Sequence, residues 1–406
     1  MKIPKALPHR FFDDVASRQP KQSSARFDVG GITATIQRAL AAAGLDTQSG
    51  PMRDVTDTIH QALSSAGLSQ RTVAPDGHGV TIDGIAREVD ATCSDIDGTP
   101  ARPAPHVDEP LAGAFLKRSF TNDAGTRTYK LYVPASYAAA SSEPVPVIVM
   151  LHGCTQSPDD FAAGTRMNAL ADQHGFLVVY PAQAGKANQS RCWNWFRPED
   201  QDRDRGEPSL IAGITREVAS AYRVDARRIF VAGMSAGAAM AVILGAMYPD
   251  LYAAIGAHSG LPYGAAHDMP SALAAMQSGA ARHRSVMSSN GNSNWTPTIV
   301  FHGDSDRTVN ARNGDAIVAQ VTVAGEGQPP LRRIVRTGRA AGGRGYSRID
   351  YVDHADQCVV EHWTLHGAGH AWSGGSARGS FTDPMGPDAS AEMIRFFLSQ
   401  RRAGSC

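Results

Sequence analysis

The sequence predicts an α/β fold: a mostly parallel central sheet, antiparallel at its front edge, with helices on both faces and a small helical N-terminal extension. Three observations carry this. Apolar runs of strand length alternate with helical stretches from residue 114 onward. Several runs, such as VPVIVMLH (145–152) and TPTIVFHGD (296–304), are continuously apolar, as strands buried on both faces are. The chain holds 13 Phe, 10 Tyr and 5 Trp, yet only Phe11, Phe12 and Phe27 precede Phe115, so the first hundred residues have little from which to build a core.

Residues 1–110 therefore read as an extension and 111–406 as the main domain. ITATIQRALAAAGL (32–45) and VTDTIHQALSSAGL (55–68) echo each other, each an amphipathic helix stopped by Gly44 or Gly67. They suit surface helices that dock on the main domain, or a partner-binding or granule-docking arm. Residues 77–110 are a Gly- and Pro-rich linker. GAFLKRSF and TRTYKLYVP alternate with period two around the turn NDAG, giving an antiparallel hairpin. A helix over 159–173 leads to the strand FLVVYPA, an irregular stretch and the helix 209–222. The strand 227–233, an alanine-rich helix, the strand LYAAIGAHSG, a helix near 268–282, the strand ending at HGD and the helix 310–322 follow. YSRIDYVDH and VVEHWTLH are late strands before the final helix 388–402. This succession of βα units has the shape of an α/β-hydrolase.

Lys plus Arg and Asp plus Glu are both 39, so a neutral chain gives no electrostatic reason to expect nucleic acid as a partner. No apolar run approaches the roughly 20 residues of a membrane span. The first twenty residues lack the apolar core of a secretory signal, which leads to the expectation of a cytoplasmic protein. Five cysteines without a CxxC pair fit neither a disulfide scaffold nor a zinc site, and no metal is expected.

Gly233-Met234-Ser235-Ala236-Gly237 is the sole G-x-S-x-G, and it joins an apolar strand directly to a helix. That setting is what a nucleophile elbow needs, with Ser235 on a strained turn at a helix N-terminus. A serine hydroxyl needs a base, and the base needs an orienter. His302-Gly303-Asp304-Ser305-Asp306 ends a strand, and Asp306 is the preferred acid, with Asp304 placed to shape the turn. His370, in GAGHAWSGG between the last strand and last helix, is the expected base; His354, His362 and His366 sit on or beside strands. His258 and His302 end strands on the same edge and are expected to line the site.

An acyl-transfer site also needs two aimed N–H donors. Ala236 follows the nucleophile and supplies one. The loop after VIVMLHG supplies the other, from Cys154 or, as the alternative, Thr155. Cys192-Trp193-Asn194-Trp195-Phe196 sets aromatics in a loop near this edge, either as an apolar subsite or as a local core. Trp193, Trp195, Trp372 and His258 are the expected substrate contacts. Cys154 and Cys192 lie in neighbouring loops, and whether they are bridged stays open.

With the elbow, HGDSD, GAGHAW, LHGCTQ and CWNWF in order, the region Phe115–Phe397 resembles the PHB depolymerase family of esterases. YPAQ (180–183), GEPSLIAGIT (206–215), HSGLPYGAA (258–266) and TDPMGPDASAEMIRFF (382–397) extend the resemblance. It implies a serine hydrolase with Ser235 as nucleophile, Asp306 as acid, His370 as base and Cys154 as oxyanion donor, without a cofactor. The implied substrates are polyhydroxyalkanoate polyesters or oligomers, or short-chain esters. The alternatives are a feruloyl or acetylxylan esterase, a peptidase of the same fold, or a catalytically silent binding module. Secreted members that attack insoluble polymer usually carry a signal peptide and a polymer-binding domain, neither of which is evident here.

Overall fold

The computed structural model describes residues 112–137, 143–280, 296–322 and 330–402. All lie in the second of two compact units into which the chain divides, Thr99–Cys406. The helices expected at 32–45 and 55–68 and the whole linker, 77–110, lie outside the described residues.

β1 (Ala114–Asn122) and β2 (Gly125–Val133) form the expected hairpin, paired from Ala114 with Val133 to Asn122 with Gly125. β3 (Val145–Leu151), β4 (Leu177–Pro181), β5 (Val224–Met234), β6 (Ala254–His258) and β7 (Thr298–Gly303) are the apolar runs read from the sequence. After them come β8 (Arg332–Arg339), β9 (Gly345–Val352) and β10 (Cys358–Leu365). The ten strands make one sheet in the order β1-β2-β4-β3-β5-β6-β7-β10-β9-β8. Pairing is parallel from β4 through β10 and antiparallel on both flanks. The molecule has the α/β-hydrolase fold. The antiparallel margin expected at the front edge thus has a counterpart at the far edge. β8, RRIVRTGR, escapes sequence reading because an exposed edge strand carrying four arginines has almost no apolar periodicity to reveal it.

Helices α1 (Pro158–Thr165) and α2 (Met167–His174) replace the single helix expected over 159–173. Arg166 separates them at φ 55°, with its guanidinium donating to the Gly374 carbonyl at 2.9 Å and to Asp388 at 2.8 Å. These distant partners hold a break at a non-glycine residue, two positions after Gly164. α3 (Gly206–Ala221), α4 (Ala236–Met247), α5 (Met269–Ser278), α6 (Arg312–Thr322) and α7 (Ala389–Ser399) complete the layers, and β11 (Trp372–Ser373) pairs with β12 (Thr382–Asp383). Among the described residues no helix is long and apolar enough to cross a membrane.

Period-two geometry splits the core into two layers. Val147, Val149 and Leu151 of β3 join residues of α3, α4 and α6 on one side. Ile148 and Met150 join Phe161, Met167, Phe396 and Phe397, from α1, α2 and α7, on the other. Each fully buried side chain of this kind contributes roughly 1.5–3 kcal/mol. Phe397 is fully buried and stacks on Phe230 of β5 at 4.9 Å between ring centroids. Phe397→Ala is expected to lower the unfolding free energy by about 3–5 kcal/mol. Urea denaturation measures this, and a loss below about 1 kcal/mol would contradict the assigned packing.

Candidate active site

β5 passes into α4 through Ser235, whose backbone sits at φ 56° and ψ −122°. Two glycines make this turn possible. A Cβ on Gly237 would lie 2.1 Å from the Leu151 carbonyl oxygen, and one on Gly233 would lie 2.4 Å from the Gly237 carbonyl carbon. Side chains at either position would drive the elbow off β3. The Ser235 N–H donates to the His258 carbonyl at 2.9 Å, holding the turn against the end of β6. The serine heads α4, whose first amide groups have no intrahelical acceptor and carry the positive end of the helix dipole.

Asp306 leaves the end of β7, and His370 lies in the loop that leaves β10. Their strands are neighbours, so the two side chains meet at the sheet's carboxyl edge: His370 Nδ1 donates to Asp306 Oδ2 at 2.7 Å. The Asp306 side chain is fully buried. Burial alone would raise its pKa, but the hydrogen bond and charge of His370, the Val309 amide and the charge of His302 outweigh it. The carboxyl is held below its ordinary range. Thr308 and Val309 amides donate to the other oxygen, both at 2.9 Å, so the carboxylate is fixed as it orients the ring. Among the described residues no hydrogen bond joins the Ser235 hydroxyl to His370. Such contacts commonly close only around bound substrate.

Asp304, the alternative acid, belongs elsewhere. It accepts from His366 Nδ1 at 3.0 Å and from the Gly367 amide at 2.7 Å, and His366 Nε2 meets Ser347 Oγ at 2.9 Å. This Ser347–His366–Asp304 array copies the connectivity of a hydrolytic triad. Its histidine and aspartate are about half exposed, and Ser347 lies inside the regular strand β9, away from any helix N-terminus. Water screens its charges, and no aimed amide pair adjoins its hydroxyl.

The β3 loop closes on the elbow. A Cβ on Gly153 would stand 3.6 Å from the Ser235 Cβ, so the backbone there passes directly beside the nucleophile. The Cys154 N–H has no acceptor among the described residues, whereas the Thr155 N–H is committed to the Ser190 carbonyl at 2.6 Å. Cys154 and Ala236 therefore remain as the amide pair, and Thr155 drops out. Sequence reading missed Gln156, which is buried, accepts from the Gly153 amide at 2.9 Å and donates to Asp160 and Ser380. It also missed Glu207, which is buried and accepts from Arg127, Gln183 and both nitrogens of Asn194. They stand in LHGCTQ and GEPSLIAGIT, but each lies among other polar residues, so no local pattern marked it as buried.

Cys154 and Cys192 form a disulfide, which answers the question left open by the sequence. The expected substrate contacts need correction. Trp193, Trp195, Trp372 and His258 are 0%, 5%, 1% and 0% exposed, so none presents a free face to a ligand. Trp193 donates its indole N–H to the His152 carbonyl and packs with Trp195 and Phe196 in the main core. Trp372 donates to Ser390 and meets Phe161 edge-on. CWNWF thus ties a long loop without regular structure into the main core.

Asp350, Cys358 and Glu361 bring three metal-type donors within 4.8 Å. The two carboxylates are occupied by Arg336, Arg348 and Arg395, and burial together with their charges pushes the Cys358 thiol up to about 12. The cluster reads as a salt-bridged tie between β9, β10 and α7.

Residues 127–327 match a family model described as Esterase PHB depolymerase. The chain is 33% identical over 258 residues to poly(3-hydroxyalkanoate) depolymerase C of Paucimonas lemoignei, covering 62% of this chain and 59% of that one. It is 34% identical over 144 residues to feruloyl esterase B of Neurospora crassa, covering 35% and 47%. The chain thus spans about half to three-fifths of these relatives. Among solved structures, an acetyl xylan esterase from Aspergillus awamori superposes with a TM-score of 0.53 at 19% identity, over 70% of this chain and 99% of that one.

Three outcomes are expected. A fluorophosphonate should label the wild type and Ser347→Ala but not Ser235→Ala; labelling that follows Ser347 would overturn the site. Asp306→Asn should lower kcat on a p-nitrophenyl ester by about 10³–10⁴-fold, whereas Asp304→Asn should change it by less than about threefold. The third concerns acid. Burial pushes His152 down to about 4 and, helped by the charges of His302 and His370, His258 down to about 3, against 6.5 for the free side chain. The unfolded chain then takes up protons first, so stability falls as pH drops from about 6.5 towards 4, by up to about 1.4 kcal/mol per pH unit for each such histidine. Asp200 acts oppositely, since burial and the Glu207 charge push it up to about 7. With His302 and His362 also lowered, the histidines outnumber it. Urea midpoints should fall between pH 6.5 and 4.5, and a flat profile would contradict the buried neutral rings.

Proposed function

We propose that this chain, whose residues 127–327 match the esterase PHB depolymerase family model, is a serine carboxylic-ester hydrolase acting through an acyl-enzyme. The observation that carries this reading is the buried Asp306–His370 pair at the same carboxyl edge of the sheet as an elbow serine at φ 56°. His370 Nε2 takes the Ser235 proton as Oγ attacks the ester carbonyl. Asp306 holds the Nδ1–H tautomer and stabilises the imidazolium that forms. The Cys154 and Ala236 amides receive the oxyanion. His370 then protonates the departing alcohol, and water, activated by the same ring, releases the acid.

Hydroxyalkanoate oligomers or polyester, or short-chain esters, are the favoured substrates, because the depolymerase likeness extends over more of the chain than the feruloyl esterase likeness does. With the tryptophans buried, the apolar surface offered to substrate comes from elsewhere. Phe381 supplies part of it: it is about half exposed, and its carbonyl accepts the Trp372 amide in the loop that carries His370. The Cys154–Cys192 bond at the oxyanion loop favours an oxidising compartment over the cytoplasmic setting expected from the sequence.

A panel of p-nitrophenyl acyl esters, a 3-hydroxybutyrate oligomer and a feruloyl ester, compared by kcat/KM, tests the assignment. Preference for the oligomer or short acyl chains is expected. Preference for the feruloyl ester would move the substrate to the plant-polymer class, and failure on every ester would overturn the hydrolase reading.

A further inference from the structure

Two separately supplied parts of the site must be held in register: the elbow with Ser235 and the loop with His370. They come from strands β5 and β10, which are not neighbours, since β6 and β7 lie between them. His258 is the last residue of β6, and it touches both parts. Its main-chain carbonyl accepts the Ser235 N–H at 2.9 Å. Its ring Nε2 accepts the N–H of Ser373, three residues after His370, at 3.0 Å.

We infer that His258 is a positioning residue that clamps the nucleophile elbow and the base-bearing loop to each other.

The surroundings make the clamp stiff. The ring is wholly buried, stacked at 5.1 Å from Trp372 and 5.8 Å from Phe301. Nδ1 faces Ser259 Oγ at 3.3 Å, so the proton resides there and Nε2 offers its lone pair. The Ser373 amide is available for this bond because the β11–β12 pairing uses the amides on either side: Trp372 donates to the Phe381 carbonyl and Gly374 to the Asp383 carbonyl. The Ser373 hydroxyl is tied separately to the Pro387 carbonyl at 2.8 Å. Removing the ring acceptor would strand a buried amide and release one of the ties on the loop behind His370. Displacements near 1 Å at a reacting group cost on the order of 100-fold in rate.

The inference rests on the hydrolase reading, and its test separates the two. His258→Phe keeps a ring between Trp372 and Phe301 but removes the acceptor. His258→Gln restores an acceptor near the Nε2 position, and His258→Asn does not reach it. Each full-length variant is titrated with a fluorophosphonate, so that turnover of p-nitrophenyl butyrate is counted per reactive site rather than per folded chain. The expected result is a fall in kcat of about 10- to 100-fold for Phe and Asn. KM should stay within about twofold, with most of the loss recovered in Gln. If His258→Phe does not fold, the Gln and Asn pair carries the comparison. A His258→Phe kcat per site within about twofold of wild type, or equal rates for Gln and Asn, would overturn the clamp. Ser235→Ala is the control: wild-type turnover there would sink the Ser235 site on which the clamp rests, whereas an inactive Ser235→Ala beside a fully active His258→Phe would sink only the clamp.

Discussion

The close approach of three backbones around Ser235 governs the rest of the site. β3, β5 and the start of α4 meet so tightly that Gly233 and Gly237 have no room for a Cβ. Holding a serine at φ 56° costs on the order of 1–3 kcal/mol, and the packing of β5 and α4 into the two core layers offsets it. The return is positional. The hydroxyl stands clear of the strand at the positive end of a helix, and the same crowding brings the 152–154 loop beside it. Relaxing the turn would move the Ser235 hydroxyl and the neighbouring Cys154 and Ala236 amides together.

Burial decides which of two serine–histidine–aspartate arrays has chemical use. Ser347, His366 and Asp304 are already linked by hydrogen bonds, yet they sit in water, where charges interact weakly and no fixed dipoles await an oxyanion. Asp306 is wholly buried and satisfied on both oxygens, so its charge acts on His370 in a low dielectric and cannot swing away. Connectivity alone is therefore a poor guide to reactivity; preorganised, water-poor surroundings are what separate the two sets.

The 152–154 loop is tied down directly and through the aromatic loop. The disulfide joins Cys154 to the aromatic loop, and Gln156 holds the Gly153 amide. Glu207 anchors the aromatic loop through Asn194 and Gln183, and Gln183 in turn donates to the Cys192 carbonyl at 2.8 Å. The aromatic residues of that loop are therefore ballast: they bury a segment without secondary structure and keep Cys192 in place. A dense run of tryptophans beside an active edge serves here to support the amide donor rather than to grip substrate.

Local patterns in the sequence determined much of this molecule. Continuous apolar runs announced the parallel strands, because a strand covered on both faces needs no polar alternation. The strand–G-x-S-x-G–helix junction announced the elbow, because only small neighbours allow that turn. The likeness to α/β-hydrolases supplied the order serine, aspartate, histidine, and strand ends then limited the candidates for the last two. Tertiary structure decided what depends on partners distant in the chain. Arg166 breaks a helix through Gly374 and Asp388, and the edge strand β8 exists only by pairing with β9. Burial of Trp193, Trp195, Trp372 and His258 depends on which surfaces the folded chain lays over them. The choice of Asp306 over Asp304, and of Cys154 over Thr155, turned on which group each atom meets across the fold. Residue spacing carries the period of a strand or helix; it carries no record of what lies opposite a side chain once the sheet has closed around it.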